Sequence, residues 1–163
     1  MKSKSIVFSW VEFNDISELD EGDRELLEIA KAAAADAYAP YSGFKVGAAL
    51  RLENGKILRG TNVENAAFPS GICAERNVLS SASANYPGVR PVALAVIALT
   101  ADGFSKDPVS PCGNCRQVIA EEEERYGKEI RIILGGYPSV RIVERGGDLL
   151  PMQFSRADLR MHP

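Results

Sequence analysis

Cys73-Ala74-Glu75-Arg76, then Val92-Ala93-Leu94-Ala95-Val96-Ile97-Ala98-Leu99, then Pro111-Cys112-Gly113-Asn114-Cys115-Arg116: these three segments, in this order, decide how the chain folds. The middle one is an unbroken run of eight apolar residues, the pattern of a strand covered on both faces. The outer two each open a helix. The first runs from Cys73 to about Asn85 and stops at Tyr86-Pro87-Gly88. The second begins with Pro111 in its first turn and ends at Tyr126-Gly127, with proline and glycine where helices favour them.

Upstream, Phe44 to Leu52 and Lys56 to Asn62 flank Glu53-Asn54-Gly55, and Asn-Gly between two such runs predicts a hairpin. Asp20 to Ala39 repeats Ala, Leu and Glu at helical spacing up to Pro40. Ser5 to Phe13 has the Ile, Val, Phe and Trp content of a strand. Downstream, Ile130 to Leu134 and Val140 to Glu144 read as two more strands, followed by a short helix or turn near Asp148 to Leu150 and a last helical turn in the tail after Ser155. Strands alternating with helices indicate an α/β sandwich, one central sheet with helices packed on its faces. The strand–helix–strand–helix–strand segment in its middle requires crossovers and hence parallel neighbours.

The chain has 163 residues, 45% apolar and 25% charged, which suits one domain over 1–163 and excludes a disordered or fibrous protein. A chain of this length buries roughly 68–70% of its unfolded surface, so its core needs no staples. With 19 Lys+Arg against 22 Asp+Glu, the formal charge is −3 and gives no general attraction for nucleic acid. The longest apolar run has eight residues against the roughly 20 that span a membrane. The three consecutive apolar residues Ile6 to Phe8 are too short for a signal-peptide core. A cytoplasmic protein with reduced cysteines is expected. In Glu121 to Glu124 the expectation is a solvated helix face, with Glu121 and Arg125 at supportive i,i+4 spacing.

There are three cysteines and one histidine, His162, in the tail. All three cysteines fall at predicted helix starts, where exposed N–H groups and the helix dipole favour thiolates. A Cys-x-x-Cys pair on one helical turn can share a metal. Three protein ligands with an open fourth position is the catalytic zinc pattern, since structural sites are closed by a fourth ligand. The metal would lower the pKa of water toward about 7. Glu75, two residues after Cys73, is placed to take that water's proton. Arg76 or Arg116 could offset the thiolate charge. The competing reading is a structural zinc or thiol-redox protein. It leaves Glu75 and Cys73 without a role and has no fourth ligand.

These residues resemble the small homotetrameric cytidine deaminases. Ala39-Pro40-Tyr41-Ser42-Gly43-Phe44 with Val46-Gly47-Ala48-Ala49 is similar to one family motif, and Asn62-Val63-Glu64-Asn65-Ala66-Ala67 to another. The two cysteine segments are similar to its zinc motifs, and Leu149-Leu150-Pro151 with Phe154 to its C-terminal segment. The likeness runs from about Leu26 to Leu159, and it implies a three-layer α/β/α sandwich with a central mixed five-stranded sheet. It implies one zinc per chain on Cys73, Cys112 and Cys115, with Glu75 carrying protons to N3 of the base and then to the departing ammonia. It implies that the Ala74 backbone holds the pyrimidine edge, Asn62 and Glu64 bind the ribose, and Phe44 packs on the base. Phe68 and Phe154 would reach across subunits of a homotetramer. The implied activity is hydrolysis of the C–N bond of a cyclic amidine: cytidine and deoxycytidine become uridine and deoxyuridine in pyrimidine salvage. A deaminase of a modified cytosine, such as a blasticidin S-type antibiotic, is the alternative. A nucleic-acid-editing deaminase is disfavoured by the charge balance. Two features depart from the family: Phe68 stands where tyrosine is frequent, and residues 1–19 form an N-terminal extension.

Overall fold

The structure is a computed structural model that describes residues 1–159. His162 lies outside the described residues. A seven-stranded sheet carries β1 (Val11–Phe13), β2 (Lys45–Leu52), β3 (Ile57–Thr61), β4 (Pro91–Thr100), β5 (Gly103–Phe104), β6 (Arg131–Gly135) and β7 (Val140–Val143). Its order is β1-β7-β6-β4-β2-β3, with β5 folding back on the end of β4. Three helices pack on it: α1 (Glu21–Ala35), α2 (Ala74–Asn85) and α3 (Gly113–Tyr126).

The five-stranded sheet that the resemblance implies is extended by two short strands: β1, which falls in the segment read as a strand, and β5, which the sequence did not signal. The expected strand from Ser5 shrinks to Val11–Phe13, because its only partner, β7, is four residues long. The parallel pairing is also narrower than the element order implies. Among the described strands, only β4 and β6 are parallel neighbours; β3 and β4 run the same way, but β2 lies between them and is antiparallel to both. The hairpin therefore enters the sheet by its first strand, and α2 crosses over β2 to reach β4.

The buried strand β4 separates two cores. Leu94 and Val96 face α2 and α3 with Val78, Leu79 and Ile119, while Ala95 and Ile97 face α1 with Leu26, Leu27 and Ala30. This alternation from one continuous apolar run produces the three layers. Helix α1 starts at Asp20, whose side chain accepts from the Asp23 N–H at 2.8 Å. It ends at Ala35, short of the expected Ala39. The chain ahead of Pro40 leaves the helix, and the Tyr38 N–H donates to the Asn62 carbonyl. Helix α3 begins at Gly113 with Cys112 as its cap, so Pro111 sits before the helix rather than at its first position.

Two glycines set how closely the helices approach the sheet. A Cβ at Gly47 would lie 2.0 Å from the Ala30 carbonyl oxygen and 2.4 Å from the Ala34 nitrogen of α1. A Cβ at Gly60 would lie 2.7 Å from the Ala74 carbonyl oxygen at the start of α2. Since helix backbone cannot yield locally, Gly47→Ala should destabilise the protein by about 3 kcal/mol or more, lowering Tm by about 6–12 °C in a thermal scan.

The N-terminal extension is anchored in its second half. Phe13, Ile16 and Leu19 join the α1-side core, and Asp15 and Glu18 form a capping box around the turn Ile16–Glu18. Ile6, Val7, Phe8 and Trp10 remain exposed. Removing residues 1–10 should therefore shift Tm by no more than about 2 °C. Removing 1–19 uncovers core and should cost at least about 3 kcal/mol, read by denaturant unfolding.

Candidate active site

Strands β3 and β4 end on the same edge of the sheet, and the loops after them lead into α2 and α3. That edge is where ligand sites form in α/β sheets. Cys73 is the N-cap of α2 and Cys112 the N-cap of α3; neither helix start has a side-chain cap. The uncapped first-turn N–H groups leave both starts favourable to negative charge. Cys115 lies one turn into α3, fully buried.

The three sulfurs lie within 4.8 Å of one another. Cys73 Sγ is 3.8 Å from Cys112 Sγ, which is 3.4 Å from Cys115 Sγ. All three thiols are free. Zinc–sulfur bonds of about 2.3 Å in a tetrahedron give sulfur–sulfur edges of about 3.8 Å, so the cluster fits one zinc. Among the described residues, no fourth Cys, His, Asp or Glu belongs to the group.

The electrostatics of the cluster favour a cation. Cys73 is pulled down to about 6, first by its hydrogen bond with Cys115 and to a smaller degree by the charge of Arg76. Cys115 is pushed up, first by that same contact with Cys73 and then by burial. One thiol releases its proton readily while its neighbour keeps one, because adjacent thiolates repel unless a cation lies between them.

Glu75 is 4% exposed, and among the described residues no Lys or Arg pairs with it. Burial pushes its carboxyl up, against weaker hydrogen bonds from its own backbone N–H and Cys115. The other buried carboxylate, Asp23, is paired with Arg131 at 2.9 Å. An acid kept buried without a cation is a proton carrier in waiting, since its neutral and charged forms are closer in energy than at the surface.

An open cavity of about 530 Å³ runs from Tyr41 and Ser42 past Asn62, Glu64 and Phe68 to Cys73. Asn62 donates from Nδ2 to the Phe44 carbonyl at 2.9 Å and accepts at Oδ1 from the Val46 N–H at 2.7 Å. Glu64 accepts from the Tyr41 and Ser42 N–H groups at 2.9 and 3.2 Å. Ala74 is buried in the first turn of α2. Phe44 does not line this cavity itself but is tied by its backbone carbonyl to Asn62, which does, and the residue is 39% exposed.

The two arginines separate. Arg116 donates from Nε to the Pro111 carbonyl at 2.8 Å and from Nη1 to the Leu149 carbonyl at 2.9 Å, tying down the backbone before Cys112. Arg76 is the one whose charge acts on Cys73. Phe154 does not line the cavity of its own chain. Its carbonyl accepts from Gln117 Nε2 at 2.7 Å while its ring stays exposed. Phe68 is 74% exposed and meets Tyr41 edge-on at 5.8 Å.

Sequence reasoning gave no role to Ser42, although a serine in a Pro-Tyr-Ser-Gly turn is a signal for local side-chain to backbone bonding. It also missed Asn77, whose Nδ2 donates to the Thr61 carbonyl at 3.0 Å and fixes α2 to the end of β3.

Residues 20–126 match the family model of the cytidine and deoxycytidylate deaminase zinc-binding region. The chain belongs to this deaminase family. A cytidine deaminase of Halalkalibacterium halodurans is 48% identical over 139 residues, covering 84% of this chain and 98% of that protein. One of Sporosarcina psychrophila is 42% identical over 144 residues, covering 83% of this chain and 93% of that one. The crystal structure of cytidine deaminase from Burkholderia pseudomallei superposes with a TM-score of 0.66 at 45% identity, covering 80% of this chain and 97% of that chain. The deaminase relatives are matched almost whole and this chain is not. The family match begins at residue 20, after the N-terminal extension. As in the family, the cofactor is zinc, for which Cys73, Cys112 and Cys115 form a ready group. Among the described residues, no helix is long and apolar enough to cross a membrane.

Proposed function

We propose that this chain is a cytidine deaminase: it hydrolyses cytidine and deoxycytidine to uridine and deoxyuridine and releases ammonia, a reaction of pyrimidine salvage. The observation that carries this is Glu75. It is a buried carboxyl with no Lys or Arg partner among the described residues, two residues from Cys73, where a cavity that includes Ser42, Asn62 and Glu64 reaches Cys73 of the thiol group.

Cys73, Cys112 and Cys115 would hold one zinc, whose Lewis acidity would make water a nucleophile at neutral pH. Glu75 takes the proton that the attacking water loses and delivers it to N3 of the pyrimidine. It then takes the second proton of that water, from the new C4 hydroxyl, and passes it to the 4-amino group, so that the C4–N bond breaks, ammonia leaves and C4 becomes a carbonyl. The raised carboxyl supports this role, because an acid–base carrier works best with a pKa moved toward the operating pH. The Ala74 backbone holds the pyrimidine edge, Phe44 packs on the base, and Asn62 and Glu64 bind the sugar hydroxyls. Arg76 offsets the thiolate charge, and Arg116 positions the backbone of the Cys112 loop.

The cavity favours a nucleoside over a nucleotide. It contains the Glu64 carboxylate and, among the described residues, is lined by no Lys or Arg, so a phosphate would meet a like charge without a partner. Phe68 and Phe154 expose 74% and 58% of their surface in the single chain, which supports their reaching into neighbouring sites of a homotetramer. The three free thiols support a reducing, cytoplasmic setting. The chain is one domain in which residues 1–19 are an added arm.

A substrate panel tests this reading. Cytidine and deoxycytidine should be turned over with kcat/KM more than about tenfold above deoxycytidine monophosphate. A preference for the monophosphate would overturn the nucleoside assignment, and inert nucleosides with an active modified cytosine would move the reading to an antibiotic deaminase. Sizing by light scattering should return four chains; a stable, active monomer would remove Phe68 and Phe154 from the site.

A further inference from the structure

Ser42 sits where the proposed sugar and base contacts meet. Its Oγ donates to Glu64 Oε1 and accepts from the Phe44 N–H at 3.0 Å. Glu64 Oε2 accepts the Tyr41 and Ser42 N–H groups, so the turn from Tyr41 to Phe44 is wrapped around this carboxylate. Asn62 closes the ring from the other side through the Phe44 carbonyl and the Val46 N–H. A hydroxyl has one proton and two acceptor sites. Here the proton goes to Glu64 and one acceptor site to Phe44, so one small group joins two residues that lie far apart in sequence.

We propose that Ser42 is a positioning residue for the substrate: its hydroxyl locks the Glu64 carboxylate and the Phe44 backbone into one unit, so that sugar and base contacts are set together before binding. The inference rests on the nucleoside reading above. Its physical basis is preorganisation. Two groups already held in place lose little freedom when substrate arrives, whereas a free carboxylate and a free turn must both be ordered. Without the hydroxyl, Glu64 keeps only its two backbone donors, and the Phe44 N–H turns to water. The Glu64 carboxyl is held below its ordinary value, first by the Ser42 hydroxyl and then by the Tyr41 N–H, consistent with a charged acceptor at this node. A carboxylate has about four acceptor sites, and three are filled, which leaves one for a substrate hydroxyl.

The test uses the full-length, zinc-loaded protein with Ser42→Ala, Ser42→Thr, Glu64→Ala and the Ser42→Ala/Glu64→Ala double variant. Losing a hydrogen bond to a charged group should raise KM for cytidine about tenfold in Ser42→Ala with kcat within about twofold, and zinc content and Tm should stay unchanged. Threonine, which keeps the hydroxyl, should restore most of the loss. The double variant should be no worse than Glu64→Ala alone to within about twofold, because the serine acts through that carboxylate. A KM within about twofold of wild type in Ser42→Ala, or penalties that multiply in the double variant, would overturn the proposal. A second readout needs no substrate. The Phe44 amide should exchange with deuterium about tenfold faster in Ser42→Ala than in wild type, while the Tyr41 and Ser42 amides stay protected by Glu64. Equal exchange at Phe44 in both proteins would show that the hydroxyl holds nothing. If wild-type protein leaves cytidine unchanged, the nucleoside reading fails, and the exchange result still decides whether Ser42 is the node.

Discussion

Cys112→Ala should lose the metal and the activity together. Cys112 supplies one of three sulfurs, lies between the other two at 3.8 and 3.4 Å, and has no replacement ligand among the described residues. Outer contacts of a metal site are worth about 10–100-fold in affinity, so removing a ligand itself should weaken zinc binding by more than about 100-fold. Stability should follow. A metal that binds only the folded chain stabilises it by about 4 kcal/mol when free zinc is 1,000-fold above its Kd. For a chain of this size, that is about 8–16 °C in Tm; a chelator should remove it from wild type and should not change the already lowered Tm of Cys112→Ala. Metal analysis and a thermal scan with and without chelator check both halves. Full zinc occupancy in Cys112→Ala would remove that residue from the ligand set.

Glu75→Gln should separate catalysis from stability. Glutamine fills the same space and keeps an acceptor, but cannot take a proton. Turnover should fall by about 10²–10⁴-fold, the usual worth of a positioned general acid–base group. Zinc should be retained, because Glu75 lies outside the thiol group. Tm should stay the same or rise, since wild type keeps a carboxyl in the interior with no cationic partner among the described residues and the variant relieves that cost. A structural glutamate would behave in the opposite way, with stability lost first. Parallel kcat, zinc and Tm measurements distinguish the two; lowered Tm with near-normal turnover would assign Glu75 to packing.

The parts of this fold set by local chemistry were legible in the residues. The Val92–Leu99 run became the strand between the two cores, Asn54-Gly55 became the hairpin turn with Gly55 at φ 81°, and Gly127 closed α3 at φ 62°. The thiol cluster was legible for the same reason: cysteines at two helix starts flanking one buried strand must converge at one sheet edge. What sequence alone did not reveal depends on partners distant along the chain. The position of β2 between β3 and β4 is chosen by packing around Gly47 and Gly60, and a list of elements in order carries no such information. The length of β1 is set by β7.

The acidic run shows the same limit. Arg125 pairs with Glu122 and Ser83 rather than with Glu121. Glu123 turns inward to accept the N–H groups of Ile130, Gly146 and Gly147, a structural role concealed within four identical letters. Arg116 likewise looked like a partner for sulfur and proves to be a tie between two backbone carbonyls.

The most direct test of the account is turnover by the purified, zinc-loaded chain, with uridine and ammonia followed together from cytidine. The expected result is one uridine and one ammonia per cytidine consumed, and the same stoichiometry from deoxycytidine. A protein that carries one zinc per chain on its three cysteines yet leaves both nucleosides unchanged would contradict it.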